Sequence, residues 1–261
     1  MHLTAYFIIS LFASMAGAIC GIGGGVIIKP TLDMFRIDSI ATINFLSGCT
    51  VLAMSGYTVT QTLRSGKNNL DLKTGTPLAA GAAIGGVLGK QLFGVVSMRI
   101  GMAAGAVQSF CLLVLALITV FYTLNRERVH TYRIVKAWLC LIIGLLLGML
   151  SSFLGIGGGP INLVVLHFFF SMDMKAAAQN SLYIILFSQT ASLLSTFAAH
   201  SVPGFSWLSL TFMITGGVAG GIIGHAVHRR IDDKVLGKLF TMINAVIMLI
   251  CVYNMMQYMD V

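Results

Sequence analysis

Gly21-Ile22-Gly23-Gly24-Gly25 recurs, letter for letter, as Gly155-Ile156-Gly157-Gly158-Gly159, 134 positions later and in an equally apolar setting. A glycine run of this density does not sustain a helix, since each Gly disfavours it by roughly 0.8–1 kcal/mol relative to Ala. It also frees backbone N–H and C=O groups. At membrane depth such groups are tolerated only where protein buries them or where they line a polar cavity. Two copies in one chain therefore point to two halves of a single polar site.

The surroundings say that the bilayer is the solvent. Of 261 residues, 57% are hydrophobic and only 9% charged, with a mean hydropathy of +0.92, against roughly 25% charged in an ordinary soluble domain. Six windows, 40–62, 75–96, 101–123, 176–198, 206–228 and 237–258, have the length of about 20 residues that crosses the hydrocarbon core. Two more, 3–36 and 137–171, carry the pentads. The expected class is an all-α polytopic membrane protein. The net charge of +8 does not imply nucleic acid, because the sixteen Lys and Arg lie mostly in short loops between apolar spans. The run Ala13 to Ala18 is followed directly by the first pentad and lacks a basic leader, so no cleavage is expected there. Cys20, Cys49, Cys111, Cys140 and Cys251 have no metal-like spacing and read as small core residues.

The echo extends beyond the pentads. Ala177 to Leu182 falls where Ala41 to Leu46 fell, which pairs Asn44 with Asn180, and Gly216-x-x-x-Gly220-Gly221-x-x-Gly224-His225 mirrors Gly81-x-x-x-Gly85-Gly86-x-x-Gly89-Lys90. Three echoes in one order define repeats, residues 1–128 and 129–261. Loop charges then bear on topology. If each pentad segment crosses once, Lys and Arg split seven to nine between the faces. If each dips in and returns, every half has three crossings and the split is twelve to four, with Lys29, Arg36, Lys90 and Arg99 in the minority and Lys67 among the cytoplasmic twelve. The positive-inside rule selects the second arrangement: two inverted repeats, each with a Gly-broken or re-entrant helix plus three spanning helices.

A half-helix that starts after a break presents unpaired N–H groups and about +0.5 of a charge, which favours an anion. The expected substrate-binding set is Gly21, Gly23, Gly24, Gly25, Thr42, Asn44, Gly155, Gly157, Gly158, Gly159, Asn180 and Ser181. Lys90 and His225 are candidates for charge or coupling. Gly81 to Gly89 and Gly216 to Gly224 are read as close-packing glycines. No Asp or Glu is placed inside a span, which disfavours a cation carrier or a carboxylate proton relay. No serine-hydrolase elbow or zinc motif is present in the sequence.

The doubled Gly-x-Gly-Gly-Gly with Pro30 or Pro160 following, together with Ala41 to Leu46 and Ala177 to Leu182, resembles the TauE/SafE sulfite exporter family, also called the toluene sulfonate uptake permease family. The first half has Asn44-Phe45 where that signature usually has Thr-Ser or Asn-Ser. The resemblance implies a secondary transporter, with export as the expected direction, of sulfite, sulfoacetate or other organosulfonates across a bacterial inner membrane, the anion bound between the two Gly-broken half-helices. It implies no cofactor, no enzyme activity, a proton or sodium as coupling ion, and a homodimer as candidate assembly. A membrane-embedded enzyme or scaffold of sulfur metabolism is the alternative, and a His/Cys metal carrier a weaker third.

Overall fold

Ten α-helices and no strand make up the described residues of the computed structural model, which are 2–35, 38–65, 70–101 and 103–259. Arg36 and Lys67 lie outside them. The helices are α1 (His2–Cys20), α2 (Gly25–Met34), α3 (Ile40–Arg64), α4 (Leu72–Ile100), α5 (Ala103–Asn125), α6 (Ala137–Leu154), α7 (Pro160–Phe170), α8 (Met174–Ala198), α9 (Trp207–Arg230) and α10 (Asp233–Met259). All but α2 and α7 are long and apolar enough to cross a membrane.

Both pentads end a helix in the same way. Gly21 has φ +73° and Gly155 φ +67°, the left-handed conformation that glycine adopts at least cost. Ile22 N–H then donates to Gly17 O at 3.1 Å, and Ile156 N–H to Ser151 O at 3.2 Å. These are the 6→1 bonds of a Schellman stop, with a buried Ile in the position that closes it. The pentads diverge afterwards. Gly24 is already right-handed, and α2 starts at Gly25, whereas Gly158 and Gly159 stay at φ +136° and +141° until Pro160 opens α7 at its first position.

Each broken segment ends beside the place where it began. Tyr6, near the start of α1, donates its hydroxyl to Asp38, just past α2. In the second half, Tyr132 N–H bonds Phe168 O at 2.8 Å and Ile134 N–H bonds Phe169 O at 3.0 Å, so the end of α7 lies against the chain that leads into α6. The helices α3 and α8 run in opposite directions. Thr42, near the start of α3, bonds Gly204 O after α8 at 3.0 Å, and Asp71 N–H, after α3, bonds Asn180 Oδ1 near the start of α8 at 3.2 Å.

The strongest pairings exchange when α1–α5 and α6–α10 are swapped: α4 on α6 matches α9 on α1, α4 on α8 matches α9 on α3, and α10 on α2 matches α5 on α7. A methyl group on Gly81, Gly85 or Gly89 would lie 2.0, 2.0 or 2.2 Å from the carbonyl oxygens of Leu141, Leu145 and Met149. On Gly216, Gly220 or Gly224 it would lie 2.6, 2.2 or 2.5 Å from those of Phe7, Leu11 and Met15. These stripes seat one backbone directly on another, as small residues do between membrane helices.

Candidate functional site

The Schellman stop at Gly155 leaves the last carbonyls of α6 without helical partners. Two polar side chains from other helices take them. Gln108 of α5 donates Nε2–H to Phe153 O at 2.6 Å, while Lys29 of α2 donates its ammonium to Leu154 O and to Gln108 Oε1. A cation at a helix C-terminus is favoured by the dipole. The other break is treated alike: His228 of α9 donates Nδ1–H to Ile19 O, near the end of α1, at 2.7 Å.

Around this frame the two pentads meet between α3 and α8. A methyl group on Gly25 would lie 2.4 Å from Ile156 O, and one on Gly157 would lie 2.8 Å from Gln189 Nε2. On the α6 side of the second pentad a narrow recess opens, lined by Asn44 and Gly48 of α3, Lys90 and Phe93 of α4, Ser152 and Gly155, and Gln189 and Ser192 of α8. Its volume of about 20 Å³ is room for about one water. Lys90 is its one charged lining residue. Asn44 Oδ1 and Ser152 Oγ are buried there without a hydrogen-bond partner, an arrangement disfavoured by about 1–3 kcal/mol per group unless something binds. The recess thus offers hydroxyl and amide groups around one cation, which suits a small oxyanion better than a cation.

The family model described as "Sulfite exporter TauE/SafE" matches residues 6–251. The chain belongs to the TauE/SafE family. A curated TauE/SafE-like relative, the "Probable membrane transporter protein YunE" of Bacillus subtilis (strain 168), is 23% identical over 255 residues, spanning 90% of this chain and 92% of its own. No solved structure matches. This TauE/SafE protein is a membrane transporter and not an enzyme, multi-pass in a bacterial membrane, with a small-molecule substrate.

In the TauE/SafE chain, the candidate residues read from sequence separate into two groups. Asn44, Gly155 and Lys90 meet in the recess, with Gly157 directly behind Gln189. Gly21, Gly23, Gly24, Gly25, Gly158 and Gly159 line no part of it: Gly21 abuts Ala178, Gly23 and Gly158 abut Ile185, Gly24 abuts Ser14, and Gly25 and Gly159 abut Ile156. Thr42 ties the start of α3 to Gly204, Asn180 bonds Asp71 N–H and Ala176 O, and Ser181 accepts from Asn162 Nδ2–H at 3.3 Å. His225 is half-buried and outside the recess, and the buried imidazole of α9 is His228.

The pairing of Asn44 with Asn180 is two residues out of register. The caps Ser39 and Asp173, which start α3 and α8, are 134 apart, as are the pentads. So are the residues that meet equivalent glycines: Gly155 abuts Asn44 and Gly21 abuts Ala178, while Gly86 abuts Ser188 and Gly221 abuts Met54. Structurally, Asn44 corresponds to Ala178 and Asn180 to Leu46, so the site is lopsided. The letters Ala-x-x-Asn-x-Leu recur at an offset of 136 while the pentads and helix caps keep 134, so the letter match is coincidental. Placement of all carboxylates outside the helical segments also needs correction. Asp33 lies in α2, 8% exposed, one turn after the 6% exposed Lys29, and the two charges attract. Lys29 is accordingly interior rather than near a face.

Sequence reading missed Ser152 and Ser192, which carry no local signal, and the capping role of His228. The α6 cap makes a direct prediction. Lys29→Met leaves two acceptors unfilled at the buried end of α6, a destabilisation on the order of 3 kcal/mol. Thermal unfolding in detergent is expected to show a clear drop in midpoint, partly restored in Lys29→Arg, and an unchanged midpoint in Lys29→Met would refute the cap.

Proposed function

We propose that this transporter moves small sulfur-containing anions such as sulfite, sulfoacetate or other organosulfonates, in the direction of export, and that the anion binds at the recess between α3, α4, α6 and α8. The observation that carries the reading is a polar pocket at a glycine break whose one charge is Lys90 and in which the buried Ser152 hydroxyl, without a hydrogen-bond partner, is available to donate to an anion. Family membership supports the sulfur anion, since the matching family model is described as a sulfite exporter. A recess of about 20 Å³ is too small for an oxyanion, so loading requires a lining side chain such as Phe45 or Phe93 to move. In this reading the anion sits on the α6 side of the second break rather than between two half-helix N-termini.

The proposed architecture is two inverted repeats, 1–128 and 129–261, each with a re-entrant pentad segment and three crossings. The opposite directions of α3 and α8 and the returns of α2 and α7 support it. Single cysteines at Lys73 and Ser201, probed with a membrane-impermeant maleimide in intact cells, are expected to label from opposite faces. Labelling from the same face rejects inversion. A proton or sodium as coupling ion and a homodimer belong to the same proposal.

The functional test is flux in proteoliposomes with labelled sulfite, sulfoacetate, sulfate and chloride. Lys90→Gln is expected to raise the half-saturating sulfite concentration about 10- to 100-fold, the worth of one charged hydrogen bond to an anion, with Lys90→Arg intermediate. Wild-type flux with unaltered half-saturation in Lys90→Gln would remove Lys90 from the site, and no flux of any sulfur anion by the wild type would reject the substrate class.

A further inference from the structure

A second charged feature stands apart from the recess, where the end of α5 meets the start of α10. A groove of about 560 Å³ opens there, lined by Arg126, Lys234 and Lys238. The Arg126 guanidinium is held by Asp233 at 3.3 Å and lies 3.6–3.8 Å from where a methyl group on Gly237 would be, so it rests on bare helix backbone. Lys234 and Lys238, one turn apart on α10, are exposed beside it. Among the described residues the groove sets three cations against the one carboxylate that pairs with Arg126. The same groove has an apolar wall, including Leu124 and Met242, which are 70% and 61% exposed.

We infer that this groove binds an anionic phospholipid, with the phosphodiester between Arg126, Lys234 and Lys238 and an acyl chain along Leu124 and Met242. The position at helix ends is headgroup level, where each Lys or Arg near the surface attracts anionic lipid by about 1 kcal/mol. The paired demand, three cations against one carboxylate above an apolar wall facing the bilayer, fits a charged amphiphile rather than a free anion. Asp233 preorganises Arg126, so the site exists without the ligand.

The test uses full-length protein, delipidated in detergent and titrated with phosphatidylglycerol or phosphatidylcholine, with bound lipid counted by native mass spectrometry. Phosphatidylglycerol is expected to bind preferentially, and Lys234→Gln/Lys238→Gln, which keeps the Arg126–Asp233 pair, to weaken it about 30-fold without affecting phosphatidylcholine. Arg229→Gln/Arg230→Gln, at the exposed end of α9, is expected to leave the preference intact. Equal binding of both lipids, an equal loss in the Arg229/Arg230 variant, or full competition by inorganic phosphate at the lipid's concentration would each overturn the inference.

Discussion

Gly157→Leu is expected to reduce sulfite flux to the level of empty liposomes while the protein still inserts and purifies as a folded species. Gly157 has φ +71°, a conformation that disfavours L side chains by about 1–2 kcal/mol. That strain alone is tolerable. The larger effect is geometric: the new side chain meets Gln189 Nε2 at 2.8 Å and Val51 Cγ1 at 3.1 Å, so it displaces an amide that lines the recess. Losing that donor removes one hydrogen bond to a charged guest, worth about 10- to 100-fold in affinity, and shifting its neighbours closes the space that the guest needs. Gly23→Leu has the same φ penalty, at +74°, but its nearest neighbours are Ile185 Cδ1, Val51 Cγ1 and Gly157 O, at 3.3, 3.7 and 3.9 Å, on a side that lines no recess. Its flux defect is expected to be the smaller. Flux, chromatographic profile and surface expression measured for both variants decide the matter. Equal loss in the two would mean that the breaks serve helix geometry alone.

The second large effect is on folding. Gly85→Ala is expected to lower the thermal midpoint sharply, and Gly94→Ala, in the same helix, to leave it unchanged or raise it. The added methyl group at residue 85 lies 2.0 Å from Leu145 O, a backbone atom of α6 that no rotamer change removes, so the two helices must separate along their whole seam. At residue 94 nothing lies within 4 Å, and Ala there gains about 1 kcal/mol of helix propensity. Unfolding of both variants in one detergent isolates packing from propensity. Matching midpoints would show that α4 and α6 are not seated on each other as described.

Helix breaks were legible because they are local. A glycine at the C′ position with an apolar residue after it ends a helix wherever it occurs, and Gly21-Ile22 and Gly155-Ile156 do so in the same way. The glycine stripes of α4 and α9 were also legible, since their four-residue spacing puts them on one face of a helix. Lys90 stood out as a charge candidate because it breaks the apolar run after the Gly81 to Gly89 stripe. The recess was not. Ser152, Gln189 and Ser192 look like any small polar residues in apolar helices, and Asn180 looked like the counterpart of Asn44 because the letters around it agree.

What the amino-acid order determined alone is therefore a membrane-spanning chain of helices, broken twice at an identical pentad and packed through glycine. Length, hydropathy and backbone conformation follow from residues close together in the chain, and need no knowledge of what lies across the bundle. Tertiary structure decided which polar groups share one space, which helix ends are capped by Lys29, Gln108 and His228, and that α3 and α8 are in register at 134 rather than 136. Those outcomes depend on contacts between segments tens to hundreds of residues apart, which a run of matching letters, here offset by two from the pentads and helix caps, does not report.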